Sequence, residues 1–178
     1  MSRRIIGVVG PAGSGKSAVA KHLVSKHEFL RMRFAENLKS MLKVGLGLTD
    51  EQIDGDQKMI SLHQFGGCTP RHLMQTLGTE WGRRMVHSDI WVNAWRQSLP
   101  AQGLICVDDV RFPNEASAIR AEGGVLWRVT RTNANAVFVD HPSERLQRDI
   151  ETDLTLENDR SLFDLMIKVD EEVVRLLS

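Results

Sequence analysis

The chain has 178 residues, enough for one domain that carries an inserted subdomain and buries a core. Apolar residues make up 42% of it and charged residues 26%, and 23 basic and 23 acidic side chains cancel to a net charge of zero. This balance argues against a protein that coats nucleic acid, and no apolar run approaches the length of a membrane span.

Short apolar runs alternate with helical patterns at both ends of the chain. The expected strands are Arg4–Val9, Leu104–Val107, Val125–Thr130 and Leu165–Val169, and the helices among them are Lys16–Lys26 and Pro113–Glu122. Residues 34–100 are mainly helical; they begin with Ala35–Val44 and carry cap signals at Thr49 and at Thr69-Pro70. The pattern predicts an α/β fold, a parallel sheet flanked by helices, with a helical insertion.

The segment Gly10–Ser17, GPAGSGKS, matches G-x-x-x-x-G-K-[ST] in full and stands between a strand and a helix. Glycines let backbone N–H groups and the helix N-terminus wrap around phosphate. Lys16 can reach the β- and γ-phosphates, and the Ser17 hydroxyl can bind Mg²⁺. The segment predicts a nucleoside triphosphate site, with ATP bound by Gly10, Ala12, Gly13, Ser14, Gly15, Lys16, Ser17 and Ala18.

This loop does not define the reaction, because GTPases, motor ATPases and small-molecule kinases share it. A guanine-reading N-K-x-D is missing, and the chain is short for a remodelling ATPase. Asp108 and Asp109 end an apolar strand, where open α/β sheets gather their ligands. On an extended strand the two side chains point in opposite directions, so one faces the nucleotide and the other supports the loop. We take Asp108 as the Mg²⁺ ligand beside Ser17 and leave Asp109 as the alternative.

Five further blocks resemble the phage deoxynucleoside monophosphate kinases, a P-loop kinase family. They are FAENLKSMLK (Phe34–Lys43), TPRHLMQTLGTEWGRR (Thr69–Arg84), DIWVNAW (Asp89–Trp95), DVRFPNE (Asp109–Glu115) and HPSE (His141–Glu144). Together with the glycine loop they span most of the chain in the family's order. The resemblance implies a P-loop NTPase fold that transfers the γ-phosphoryl group of ATP to a deoxynucleoside monophosphate (dNMP).

The chemistry of a dNMP explains which residues the middle of the chain would use. A phosphate suits arginine forks, an amide can read a base edge, and an aromatic ring can stack on a base. Arg71 stands in the first turn of a helix, whose positive end favours an anion, and Gln75 follows one turn later. From charge alone, a surface helix with solvated arginines is the favoured interpretation.

With the resemblance, residues 34–100 are expected to bind the dNMP and residues 131–150 to form a lid over the triphosphate. The expected dNMP-binding residues are Lys39, Arg71, Gln75, Trp91, Asp109, Arg111 and Glu115. The expected catalytic residues are Lys16, Asp109, Arg111 and Arg131, further lid arginines are Arg145 and Arg148, and Asn158 is an adenine contact ahead of the last strand. Trp81 and Trp95 are expected in the core.

The N-terminus has too short an apolar run for a signal peptide, and the two cysteines have no metal-ligand or redox spacing. We therefore expect a cytoplasmic protein with reduced thiols that binds small-molecule nucleotides, with no nucleic-acid or membrane partner. The histidines have no ligand spacing, so no metal site is predicted from them.

Two other functions remain compatible with the sequence. One is a P-loop kinase of another small acceptor, such as dephospho-coenzyme A, and the other is an ATP-binding module without acceptor chemistry. The preferred base, the choice between deoxyribose and ribose, and the choice between monomer and homodimer are left open.

Overall fold

The computed structural model describes residues 3–132 and 146–178. Arg145 and most of the expected lid therefore lie outside the described residues. The chain divides into two compact units: Met1–Arg33 with Leu99–Ser178, called here the sheet unit, and Phe34–Ser98, called the helical unit.

The strands of the sheet unit are β1 (Arg4–Val9), β2 (Leu30–Arg31), β3 (Leu104–Val107), β4 (Val125–Thr130) and β5 (Leu154–Glu157). They pair in the order β2-β3-β1-β4-β5, and every pair is parallel. β1 lies at the centre because its residues are apolar and buried from Ile5 onward. The predicted parallel sheet is confirmed.

Three helices accompany the described sheet: α1 (Lys16–His27) and, later in the chain, α6 (Pro113–Ala121) and α7 (Leu162–Leu177). The strand predicted at Leu165–Val169 is wrong, because these residues lie in α7. Leu165, Val169 and Val173 are buried at a spacing of four residues, and Ser161 caps the helix together with Asp164. The last strand is instead β5, in which apolar and polar residues alternate, and the prediction missed it.

The helical unit contains α2 (Glu36–Leu46), α3 (Asp50–Ile53), α4 (Pro70–Gln75) and α5 (Ile90–Ser98), with short 3₁₀ turns at Asp56–Met59 and His63–Phe65. Thr49 begins α3 with the predicted capping box, and Thr69 accepts the backbone N–H of His72 at the start of α4. A π-helix, Thr76–Val86, continues directly from α4.

Each unit has its own apolar core. In the sheet unit the core lies between the sheet and the helices α1 and α7, and includes Val8, Leu23 and Leu165. In the helical unit Leu42, Ile53 and Trp91 belong to a separate cluster. Among the described residues, no helix combines the length and apolar character that a membrane crossing requires.

The two cysteines differ sharply in their surroundings. Cys106 is fully buried in β3, and burial, reinforced by the nearby Asp108 charge, raises the pKa of its thiol to about 12. Cys68 is half-buried in the helical unit. Because the thiolate is the reactive form, we predict that the native protein reacts quickly at Cys68 only. A thiol-reactive dye at pH 8, with mapping of the labelled peptide, tests this; fast labelling of Cys106 in the folded protein would contradict it.

Candidate functional site

Four loops that carry predicted site residues leave the sheet at one edge. All strand pairs are parallel, so the carboxyl ends of the strands point the same way. The glycine loop follows β1, Asp108 and Asp109 follow β3, Arg131 follows β4, and Asn158 follows β5. The structure thus gathers the predicted residues of the sheet unit at one place, the carboxyl edge of the sheet.

The glycine loop leads into the N-terminus of α1. Gly15 occupies the cap position with a φ of 112°, so no side chain stands in front of the first backbone N–H groups. Lys16 folds back over the loop, and its Nζ donates to the carbonyl oxygens of Gly10 at 2.5 Å and Pro11 at 2.7 Å. Ser17 is exposed in the first turn. An ammonium, a hydroxyl and a helix N-terminus form an anion-binding set.

Asn158 supports this loop from β5. Its amide Nδ2 donates to the carbonyl oxygen of Ser14 at 2.8 Å, and the side chain is 5% exposed. A Cβ on Gly15 would lie 2.7 Å from the same Nδ2, so only glycine allows this approach. Asn158 was expected ahead of the last strand, but it follows that strand. Its described contact is with the glycine loop, and the adenine contact stays a prediction.

Asp108 is held by an arginine that the sequence did not single out. Arg31, at the end of β2, donates Nε to Oδ1 at 2.8 Å and Nη2 to Oδ2 at 2.5 Å. The pairing raises the pKa of the Arg31 guanidinium above its ordinary value. Asp108 is 6% exposed, so its charge is compensated inside the protein rather than by solvent. Asp109, the next residue, is half-buried.

Glu115 shapes the segment that follows Asp109. Its Oε2 accepts the backbone N–H of Arg111 at 2.7 Å and that of Phe112 at 3.1 Å, and the residue is 3% exposed. These bonds close the turn into α6 and leave Arg111 exposed. Gln147 fixes the same segment from the other side, because its Nε2 donates to the carbonyl oxygen of Val110 at 2.8 Å.

Buried polar side chains are concentrated at this edge. Among the described residues they are Ser14, Asp108, Glu115, Gln147 and Asn158, and each lies beyond the carboxyl end of a strand. Burying a polar group costs free energy unless a partner satisfies it. Asn158 fixes the glycine loop, and Glu115 and Gln147 fix the Asp109–Arg111 turn, whereas Asp108 pairs with Arg31.

The arginines after β4 lie in different surroundings. Arg131 is exposed at the strand end, beside Asp159, whose carboxylate accepts the backbone N–H and hydroxyl of Thr132 at 2.6 and 2.7 Å. Arg128 points along the sheet, and its Nη2 donates to the carbonyl oxygen of Ile150 at 2.5 Å. Arg148 is exposed. The roles of Arg131 and Arg148 stay predictions.

In the helical unit, Arg71 and Gln75 lie one turn apart on α4 and both are exposed. Lys39 of α2 is largely buried, and its Nζ forms an ion pair with Oδ1 of Asp54 at 2.5 Å. This acidic partner was not anticipated. Binding of the dNMP by Arg71, Gln75 and Lys39 stays a prediction.

Two tryptophans differ from the prediction. Trp91, expected to line a base pocket, is 3% exposed; its Nε1 donates to the carbonyl oxygen of Gly78 at 2.8 Å, and its ring covers Gly82, where a Cβ would lie 2.8 Å away. The expectation that Trp91 stacks on the base is therefore wrong, because its ring has no open face. Trp81, expected in the core, is 38% exposed, whereas Trp95 is buried as predicted.

Trp81 lies in the π-helix, whereas Trp91 lies in α5. The hydrogen bonds of the π-helix run from residue i+5 to residue i, as in the bond from His87 N to Gly82 O at 2.9 Å. Side chains in such a segment do not follow the 3.6-residue periodicity of an α-helix. Arg31 and Gln147 were missed for another reason: each is a single polar residue beside a short element, with no motif around it.

Comparison with known proteins gives consistent matches. The family model described as deoxynucleotide monophosphate kinase matches residues 68–169. A protein of Acanthamoeba polyphaga mimivirus, named as a candidate deoxynucleotide monophosphate kinase, is 33% identical over 89% of this chain and 90% of its own length. The deoxynucleoside-5'-monophosphate kinase of Escherichia phage T5 is 32% identical over 53% of this chain and 43% of its own. A crystal structure from Thermus thermophilus shares the fold, with a TM-score of 0.54, 17% identity and 99% coverage of both chains.

The hydrogen bonds of Glu115 to the backbone allow its structural role to be tested separately from ligand binding. Glu115→Ala removes the acceptor of two backbone N–H groups, so we expect a loss of about 1–3 kcal/mol in the free energy of unfolding. Glu115→Gln keeps an acceptor oxygen and should therefore retain most of the stability that Glu115→Ala loses. Chemical denaturation measures both, with Glu171→Ala on the exposed side of α7 as the control. Equal stability of the alanine variant and the unaltered protein would contradict the supporting role.

Proposed function

The chain belongs to the deoxynucleotide monophosphate kinase family, and we propose on that basis that it transfers the γ-phosphoryl group of ATP to a dNMP. The observation that carries the proposal is the extent of the family match, residues 68–169. The glycine loop, at residues 10–17, lies outside that range, so the match does not derive from the motif that all P-loop proteins share. The matched range includes the proposed acceptor-binding residues Arg71, Gln75, Asp109 and Arg111.

The donor half of the proposal uses the glycine loop. ATP would place its phosphates against the backbone N–H groups at the start of α1. Lys16, whose ammonium already lies over the loop, would exchange the carbonyl oxygens of Gly10 and Pro11 for phosphate oxygens. Asn158 would act through Ser14, by holding the loop in its binding conformation. The exposed Arg131 would add positive charge near the transferred group.

The oxygen donors at the carboxyl edge fit a magnesium ion. Mg²⁺ prefers hydroxyl and carboxylate oxygens, and Ser17 and Asp108 supply one of each. Arg31 uses both carboxylate oxygens of Asp108, but each oxygen carries a further lone pair. We therefore keep Asp108 as the proposed ligand and assign Arg31 to holding it. When bound, the ion would neutralise charge on the phosphates.

The acceptor half uses exposed polar residues. Arg71 would bind the monophosphate in a forked hydrogen-bond geometry, and Gln75 would contact the sugar or base. Asp109 and Arg111, whose segment is fixed by Glu115 and Gln147, would orient the attacking group. Lys39 already forms an ion pair with Asp54, so its proposed role is to contribute to the local electrostatic environment of the acceptor.

The proposed reaction is a single in-line transfer. An oxygen of the acceptor phosphate forms a bond to the γ-phosphorus as the bond to the β–γ bridging oxygen breaks, and ADP and dNDP leave. The attacking oxygen is already ionised near neutral pH, so no general base is required. Positioning and charge stabilisation by the chain's own lysine and arginines would supply the rate enhancement. The viral relatives support a role in viral deoxynucleotide supply.

An acceptor panel tests the proposal. We expect ADP release with at least one dNMP, a weaker or absent response to dephospho-coenzyme A, and none without acceptor. Lys16→Met should lower kcat at least about a hundredfold, the scale of losing a group that stabilises transition-state charge. Lys21→Met, an exposed lysine on the same helix, is the matched control and should change little.

The panel also separates the alternatives. Turnover only with dephospho-coenzyme A would replace the acceptor in the proposal. Tight ATP binding with no acceptor turned over would indicate an ATP-binding module.

Arg71 generates a separate prediction about the acceptor. Arg71→Lys keeps the charge but loses the fork, so we expect KM for the dNMP to rise about tenfold or more while KM for ATP changes little. Arg84→Lys is the control, because Arg84 is an exposed arginine paired with Glu80 at 2.6 Å. Steady-state kinetics with each substrate varied measures both constants; an unchanged KM for the dNMP in Arg71→Lys would remove Arg71 from the site.

A further inference from the structure

Three side chains converge where α1 meets α7 in the sheet unit. His22 and His27 of α1 each place Nε2 2.7 Å from the same oxygen, Oδ1 of Asp170 in α7. The two nitrogens and the oxygen lie within 4.8 Å of one another. The side chains are 18%, 16% and 26% exposed, so the cluster is enclosed on most sides but open to solvent on one.

We propose that His22, His27 and Asp170 form a binding site for Zn²⁺ that joins α1 to α7. Two imidazoles and one carboxylate are a donor set that zinc binds, and the open side leaves room for water as a fourth ligand. Magnesium prefers oxygen donors only, so this site is chemically distinct from the one proposed at Ser17 and Asp108. The proposal does not rest on the proposed function.

The surroundings of Asp170 favour metal binding. Lys26 donates Nζ to Oδ2 at 2.7 Å, which orients the carboxylate and leaves Oδ1 turned toward the two histidines. Burial opposes ionisation of Asp170, but the hydrogen bonds from Lys26, His22 and His27 outweigh it and hold its carboxyl pKa well below the usual value. Lys26 and His27 also occupy the last turn of α1, whose negative end favours a cation.

Two of the three ligand distances require only small adjustments, and the third, between the two Nε2 atoms, is at most 4.8 Å. Around a tetrahedral zinc ion with bonds of about 2.0–2.2 Å, neighbouring ligand atoms stand about 3.3 Å apart. The nitrogen–oxygen distances of 2.7 Å would therefore widen by roughly 0.6 Å, within reach of side-chain rotation. Metal binding requires the tautomer of each imidazole that leaves Nε2 unprotonated and carries the ring proton on Nδ1.

A cobalt titration tests the site directly. Co²⁺ takes zinc positions and absorbs visible light in a way that reports its ligands. Chelator-treated protein without nucleotide, in excess Mg²⁺, should bind one equivalent of Co²⁺, and Zn²⁺ should displace it. We expect Co²⁺ affinity to fall at least about tenfold in each of His22→Gln, His27→Gln and Asp170→Asn. Mutation of a residue that only hydrogen-bonds to a metal ligand already lowers metal affinity about tenfold, and these three residues are the proposed ligands themselves.

His63→Gln, an exposed histidine in the helical unit, is the control and should bind as the unaltered protein does. Either the absence of saturable Co²⁺ binding or an equal weakening by His63→Gln would overturn the proposal.

A second measurement needs no variant and so does not depend on the variants folding. X-ray absorption at the zinc edge of the unaltered protein, loaded with one equivalent of Zn²⁺, should show two imidazole ligands and oxygen for the remainder. One imidazole or none, or any sulfur ligand, would place the ion elsewhere and refute the site.

Discussion

Parallel pairing of the strands is the constraint on which the sheet unit depends. Because every described strand pair runs in the same direction, the chain must return after each strand, and each polar connection begins at the same edge. The glycine loop, the paired aspartates, Arg131 and Asn158 are far apart in sequence, yet they follow strands that are neighbours. The strand order therefore brings these residues to the same edge of the sheet.

A second requirement follows from the first, since loops at a sheet edge must be held still to act on a ligand. The buried side-chain amides of Asn158 and Gln147 donate hydrogen bonds to the backbone carbonyl oxygens of Ser14 and Val110. The buried carboxylate of Glu115 accepts hydrogen bonds from the backbone N–H groups of Arg111 and Phe112. Each of these side chains would cost free energy if left unpaired in the interior. The same bonds that make the buried groups tolerable therefore also fix the loops, so stability and preorganisation have one cause at this edge.

Prediction from the sequence succeeded where a pattern follows directly from backbone geometry. The glycine loop between strand and helix, β1, β3 and β4, and the caps at Thr49 and Thr69 all follow from local rules, and the structure contains them. β5 and α7 were interchanged because a short, mostly apolar stretch such as Leu165–Val169 fits a buried strand and a helix face equally well. Trp81 was expected in the core although it lies in a π-helix, and Trp91 was expected in a base pocket only because of the resemblance. Arg31, Gln147 and the Asp170 cluster depend on contacts between residues distant in sequence, which one sequence does not reveal.

The helices α1 and α7 show how such distant contacts can link the site to the rest of the unit. Both helices begin at the carboxyl edge, and a polar contact connects the loops that precede them, from Asn158 to Ser14. A second polar cluster, centred on Asp170, connects the far end of α1 to the middle of α7. An apolar interface alone resists sliding weakly, because its contacts are not directional. Two directional ties about one helix length apart fix both the position and the tilt of α1, and with it the direction in which its N-terminus presents the glycine loop.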